Sequence, residues 1–329
     1  MSSTPNPPPV MDPSEPLAQY WDKPVSELVA LPPAPISPED QERHTIFSLL
    51  LMSLIVTFWN GNKHGQDGNY PWRPNQRRAD GIYNGGNYLG HNIACLAVDG
   101  EGEVIDFDFN HNNIFSSSVE HAESRLVRRV FSLAQIYDNW EVKKAKDLPA
   151  SSNYMSILSN VTIYTSLESC AQCSGIMALG AVKAVVYMQH DPGQFLIGNI
   201  LRNLTTASLR APLPISADKI GLPYYDQLNN GYKDFYDRVG TEPFYTTGTQ
   251  KPDTAQSITS YLCTDQALGI FQDAANHLSQ MQLQHPHYTP LDSTTHKPKG
   301  LNNKSALEHS QRFFTYASHL GLRGTPHKQ

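Results

Sequence analysis

The 329-residue sequence predicts an α/β fold: three layers, α-β-α, around a central mixed sheet, with an N-terminal arm and a helical C-terminal extension. Three observations carry that reading. A nearly all-apolar helical stretch opens at Ser37-Pro38, a two-stranded hairpin pattern follows at about 92–109, and a strand-helix-strand unit spans about 161–188. A hairpin is antiparallel, whereas strand-helix-strand at this spacing is a right-handed parallel crossover, so the sheet must be mixed.

The first helix starts with Ser37 as N-cap and Pro38 at the first helical position, and runs to about Trp59. It is apolar nearly all round and therefore needs cover on most sides. The apolar run Ile46–Trp59 is 14 residues long and is interrupted by Ser48, Ser53 and Thr57. A membrane span needs about 20 apolar residues, so the run reads as a core helix. NIACLAVD suits a central strand, Gly100-Glu101-Gly102 a turn, and VIDFDFN a half-buried strand with Ile105, Phe107 and Phe109 on one face. A helix is expected from about Ala122 to Tyr137, a strand at 161–166, and a short helix at 171–179 closed by Gly180 as a C′ glycine. AVKAVVYM is the next strand, and Pro223 to Val239 fits a further helix. Beyond that, Asp253 with Gln256 resembles a capping box, with Ile258, Leu262, Phe271 and Leu278 on helical spacing. Ser305 with Glu308 opens a last helix that Gly321 closes.

These elements divide the chain into an arm at 1–36, a main domain at 37–240 with an insertion at 61–91, and a helical extension at 241–329. The arm is proline-rich and acidic, and reads as extended or disordered, with Trp21, Leu28 and Leu31 available to dock it. The formal net charge of -6 does not advertise general nucleic-acid binding, because phosphate contacts need Lys and Arg. The charge is uneven: residues 1–42 are acidic, while residues 281–329 are basic, with Lys297, Lys299, Lys304, Arg312, Arg323 and Lys328 against Asp292 and Glu308. Solvated tails account for both. MSSTPNPPPV has neither a basic nor an apolar region, so no signal peptide is read and no membrane association is expected. Four cysteines in a chain this long do not make a disulfide scaffold, and the expected compartment is cytoplasmic.

Two short motifs carry chemistry. Cys170-Ala171-Gln172-Cys173 alone fits a redox pair, half of a structural zinc site, or chance. His121-Ala122-Glu123 alone fits a polar helix start. Both, however, fall at helix N-termini that follow core strands of one small sheet. Helix N-termini favour negative charge, so the two thiols there should ionise. One His and two thiolates are three protein ligands, which leaves a fourth tetrahedral position for water, whereas structural zinc sites are closed by four. Glu123, two residues past the histidine, is placed for proton transfer rather than coordination.

The motifs as they stand resemble the cytidine deaminase-like superfamily, and within it the branch of tRNA adenosine deaminases and guanine deaminases. TSLESCAQCSGIMALGAVKAVVY, residues 165–187, is similar to that branch's T-L-E-P-C-x-M-C-x-G-A segment, and VIDFDFNHNNIFSSSVEHAE to its strand, asparagine and H-A-E run. The resemblance covers about residues 38–205. It implies a deaminase fold and zinc held by His121, Cys170 and Cys173. It also implies hydrolytic deamination, in which water attacks the ring carbon bearing an exocyclic amine, Glu123 shuttles protons and ammonia leaves. Asn110, 11 residues before His121, stands where the branch places a base-contacting asparagine; a turn asparagine at a strand end is the alternative. His190 follows the last crossover strand, where superfamily members often line the pocket. A homodimer is a further implication of the family. Two departures stand out: Ser169 replaces the usual proline before the first cysteine, and the gap from His121 to Cys170 is long, with Lys143, Lys144 and Lys146 in it.

The expected substrate is an amino-purine or related amino-heterocycle, taken as a free base, nucleoside or nucleotide in preference to nucleic acid. The rival readings are a deaminase that edits a base in RNA or DNA, and an inactive deaminase-like binding module. The insertion interleaves Tyr70, Trp72, Tyr83 and Tyr88 with Arg73, Arg77 and Arg78, which serves base stacking or an ordered surface loop equally well. Arg125, Arg128 and Arg129 suit the helix dipole. His285 and His287 read as solvated, Cys95 as core and Cys263 as a buried helix residue.

Overall fold

A computed structural model describes residues 18–59, 90–133, 157–205, 210–241, 244–245, 252–253, 256–289, 295 and 300–324. The first seventeen residues of the arm, residues 61–89 of the insertion and the lysines at 143, 144 and 146 lie outside the described residues.

A five-stranded mixed sheet with helices on both faces forms the body, in the order β2-β1-β3-β4-β5. Strands β1 (Ala94–Val98) and β2 (Val104–Phe109) make the expected hairpin, with Leu96 opposite Phe107 and an irregularity at Ala97/Val98. On its other edge β1 pairs antiparallel with β3 (Thr162–Thr165). From β3 onward the sheet is parallel: β4 (Ala184–Tyr187) and then β5 (Leu213–Ser216), for which the sequence offered no firm strand. The parallel half places the segments after β3 and β4 at the same end of the sheet.

The arm carries a short helix α1 (Val25–Leu28), and the first long helix is α2 (Pro38–Thr57). Ser37 caps α2 by accepting from the Asp40 backbone N–H at 3.1 Å. Helix α2 lies on β1 and β3, and its other side is covered by α9 (Asp265–Gln280) and α10 (Asn303–Gly324). This is why its residues are apolar on all sides: Leu49, Leu50, Leu51, Met52 and Leu54 are all completely buried. Each buries a side chain at about 1.5–3 kcal/mol. The opposite face of the sheet carries α4 (Ala122–Leu133), with α5 (Ala171–Leu179) packed beside it. A short α3 (Asn112–Phe115) precedes α4, and α6 (Ile197–Leu204) joins β4 to β5. After β5 come α7 (Tyr224–Thr241), a two-residue ladder of β6 (Phe244–Tyr245) and β7 (Pro252–Asp253), and α8 (Ile258–Tyr261). Among the described residues, no helix is long and apolar enough to cross a membrane.

Several local expectations are corrected. Gly180 ends α5 at φ -77, and the left-handed residue is the next one, Ala181, at φ 52. A Cβ at Gly180 would meet Leu158 Cδ1 at 2.9 Å, so that side chain would have to shift to admit one. Asp253 caps no helix: it lies in β7, and the following helix is two, α8 capped by Ser257 and α9 capped by Thr264. Cys263 falls in the turn between them, although it is buried as expected. The last helix begins at Asn303, with Asn302 Oδ1 accepting from the Ser305 N–H, and continues past Gly321 to Gly324. Trp21 does not dock the arm, being half exposed. Leu28 and Leu31 are half-buried, and the arm is fastened through its backbone as well: Asn199 Nδ2 donates to the Val29 carbonyl at 2.9 Å, and Asn203 Nδ2 to those of Leu28 and Ala30.

Candidate metal centre

The sheet delivers two helix starts to one place. After β2 the chain passes Asn110, which is buried and whose N–H donates to the Ile93 carbonyl at 3.0 Å. Its Oδ1 accepts from the Ala122 N–H at 2.7 Å and so caps α4. That bond anchors His121-Ala122-Glu123 to the end of the hairpin. Asn110 Oδ1 is thus committed to the start of α4. Glu120 adds a second anchor, accepting from Arg125 at 2.6 Å and from Arg128 at 3.0 Å.

From the other side, β3 ends at Thr165 and a buried turn leads to Cys170, the N-cap of α5. Its Sγ accepts from the Cys173 N–H at 3.5 Å. Three residues apart in the first turn, the two sulfurs share a face. Cys173 is fully buried and Cys170 partly exposed.

His121 Nδ1 lies 3.4 Å from Cys170 Sγ and 3.6 Å from Cys173 Sγ, and the three ligand atoms all lie within 4.8 Å of one another. Zinc bonds of about 2.1 Å to nitrogen and 2.3 Å to sulfur in a tetrahedron put N and S roughly 3.6 Å apart. The two nitrogen–sulfur distances match that spacing, so the trio could hold such an ion. Cys170 is drawn down to about 4, first by the hydrogen bond from Cys173 and then by His121. The same bond pushes Cys173 well above the ordinary thiol value. The hydrogen bond to Cys170 also raises the His121 imidazole. A metal would compete with protons here, since ligating sulfurs must be thiolates.

Glu123 is 3 % exposed and points at this group. Its Oε1 accepts from the hydroxyls of Thr165 and Ser169, each at 3.1 Å, while Oε2 lies 3.3 Å from Cys173 Sγ. Burial raises its pKa above the ordinary carboxylate value.

His190 is on the loop after β4. Its Nδ1 lies 2.5 Å from Glu168 Oε2, which also accepts from the Asp191 N–H at 3.1 Å. The hydrogen bond to Glu168 raises the His190 pKa. Glu168 was overlooked in the sequence, although it lies inside the 165–170 run; it ties the turn before Cys170 to the loop after β4. Gln194, also overlooked, brings Oε1 to 3.3 Å from the Ala171 backbone nitrogen. Next to it, Phe195 and Leu196 both take left-handed backbone, and Phe195 is exposed. Val119, exposed as well, is held against the first turn of α5 by Gln172 Nε2 donating to its carbonyl at 2.9 Å. The other two cysteines, Cys95 and Cys263, are buried and form no disulfide. Among the described residues, His285 and His287 join no group of metal-ligating side chains.

No family model matches the chain, and no curated protein matches it. Solved structures do match. One is from work on A-to-I editing by tRNA:A34 deaminases at the wobble position of transfer RNA, with 18% identity, a TM-score of 0.28, and 38% of this chain and 82% of that chain covered. At that TM-score the likeness fixes neither fold nor activity.

Proposed function

We propose that this chain is a zinc-dependent hydrolytic deaminase, with the metal held by His121, Cys170 and Cys173. One observation carries the reading: a buried carboxylate, Glu123, faces a trio of His and Cys donors spaced for a tetrahedral ion. Zinc, when bound, supplies a Lewis acid that makes a water molecule easy to deprotonate at neutral pH. The chain's own residues supply the rest. Glu123 accepts a proton from water as its oxygen bonds to the amine-bearing ring carbon, and returns it to the exocyclic nitrogen as the C–N bond breaks. Ammonia leaves and a ring carbonyl remains. An inactive binding module would have no use for a buried carboxyl group turned to this trio, since burying it is costly.

The substrate proposed is an amino-purine or similar amino-heterocycle, free rather than in a polymer. The exposed apolar groups Val119 and Phe195 beside the first turn of α5 favour a flat, apolar-faced ring. The three arginines of α4 are engaged by carboxylates: Arg125 and Arg128 by Glu120, and Arg129 by Asp106. That leaves little on α4 to hold phosphates. Asn110, through Nδ2, and His190 are the proposed substrate contacts. Ammonia release from the zinc-loaded protein, measured over bases, nucleosides, nucleotides and oligonucleotides, tests this. Turnover of a free substrate should barely change with moderate salt, whereas polymer binding weakens steeply. Turnover of oligonucleotides alone, with steep salt dependence, would overturn the free-substrate reading. No turnover of any member would overturn the deaminase reading.

A further inference from the structure

We propose that Ser169 is a positioning residue that holds the Glu123 carboxylate in its working orientation. The inference rests on the reading of Glu123 as the proton carrier. Two hydroxyls reach Glu123 Oε1, and they are not equivalent. Thr165 Oγ1 lies 3.1 Å from Glu123 Oε1 and 3.1 Å from the Leu167 carbonyl, so one proton is divided between two acceptors. Ser169 Oγ donates at 3.1 Å to Glu123 Oε1, its one acceptor among the described residues. Ser169 is 4 % exposed and Thr165 is fully buried, so water is poorly placed to replace either hydroxyl.

The consequence is directional. With Oε1 fixed by hydroxyls, the carboxylate cannot rotate about its terminal bond without losing them. Oε2 is thereby kept on the side of Cys173, 3.3 Å from its sulfur. Terminal carboxylate torsions are soft and broad, so this orientation must be imposed by partners. The Ser169 backbone is held separately: its carbonyl accepts from Ser174 Oγ at 3.3 Å, inside the first turn of α5. The residue thus joins the thiolate helix to the carboxylate helix through one hydroxyl. A residue without that hydroxyl would leave Oε1 to Thr165 alone.

The experiment uses full-length, zinc-loaded protein and two readouts. Ser169→Ala should lower kcat about 10-fold, or ~1.4 kcal/mol, with KM within about twofold and zinc content unchanged. Ser169→Thr, which keeps the hydroxyl, should recover most of the loss. The second readout does not depend on turnover. Melting temperatures of wild type, Ser169→Ala, Glu123→Ala and the double variant should be non-additive, with Ser169→Ala costing less once Glu123 is absent. Additive melting temperatures, kcat within twofold of wild type in Ser169→Ala, or loss of zinc from that variant would each overturn the assignment. If the wild type deaminates nothing, the function proposed above fails, and the melting-temperature cycle still decides whether Ser169 and Glu123 are coupled.

Discussion

Two buried carboxylates, Glu42 and Glu123, are held by the fold in different ways. Glu42 sits on α2 and is met by donors that approach from the C-terminal part of the chain. Oε1 accepts from the N–H groups of Gln284 and His285, and Oε2 from His285 and from Asn303 Nδ2 at 2.7 Å. Beside it, Arg43 donates to Asn303 Oδ1 and to the Leu301 carbonyl. Backbone donors such as these are fixed in place, so both oxygens of Glu42 are occupied and neither is free for chemistry. Glu123 is held by two hydroxyls on Oε1, and its other oxygen accepts from Cys173, one of the three candidate metal ligands. A carboxylate saturated by backbone donors is structural. One pinned at a single oxygen, with the other turned to a ligand cluster, is placed to carry a proton.

The comparison predicts contrasting losses. The largest concerns the trio that gives Glu123 its task. Cys170→Ser and Cys173→Ser should each lower zinc from about one ion per chain to below roughly a tenth under mild chelation, with turnover falling more than ~10³-fold. Metal analysis beside ammonia release checks this; full zinc in both variants would remove the ligand assignment. Glu42→Ala should do the reverse. It leaves the N–H groups of Gln284 and His285 without this acceptor and takes one of two from the Asn303 amide, which keeps the Glu39 carbonyl. Urea unfolding should show a loss of about 3 kcal/mol, while zinc content and kcat per folded molecule stay near wild type. A Glu42→Ala enzyme that was stable but inactive would erase the distinction.

The smallest effect is a pH dependence on the structural side. His44, also on α2, pairs its Nδ1 with the Tyr164 hydroxyl at 2.8 Å. Burial lowers its pKa from 6.5 to about 4, with Asp40 opposing and Lys183 and Arg43 adding to the shift. The unfolded chain therefore binds this proton more readily than the folded one. The stability is intact above about pH 6.5 and drains away as pH falls through about 4. His44 as a residue is half-buried, so the loss should be about 2 kcal/mol rather than the full value of the shift. His44→Gln should flatten that part of the pH–stability curve; an unchanged slope would remove His44 as its cause.

What could be read in the sequence, and what could not, divides along contact distance. The helix cap at Ser37, the hairpin and the strand-helix-strand crossover are set by residues within a few positions of one another, and these stand in the structure. The two motifs that meet at the metal centre were also legible, because each marks a helix start after a core strand. The Glu168–His190 clamp and the Ser169–Glu123 bond were not, because their partners lie 22 and 46 positions apart and no pattern joins them. The Glu42 cluster spans over 240 positions and leaves no trace beyond an acidic residue in a helix. Asn110 is intermediate: its spacing before His121 drew notice, while its hydrogen bond to the start of α4 required the folded hairpin.

The central claim is that Glu123 carries the proton in a zinc-dependent deamination. Its most direct test is ammonia release from wild type and Glu123→Ala at matched zinc content, on whichever heterocycle the wild type turns over. The account predicts that the variant keeps about one zinc per chain while kcat collapses by at least ~10²–10⁴, the span typical of general acid–base catalysis. A variant that held its zinc and kept even a tenth of wild-type kcat, a loss of no more than ~1.4 kcal/mol, would contradict it.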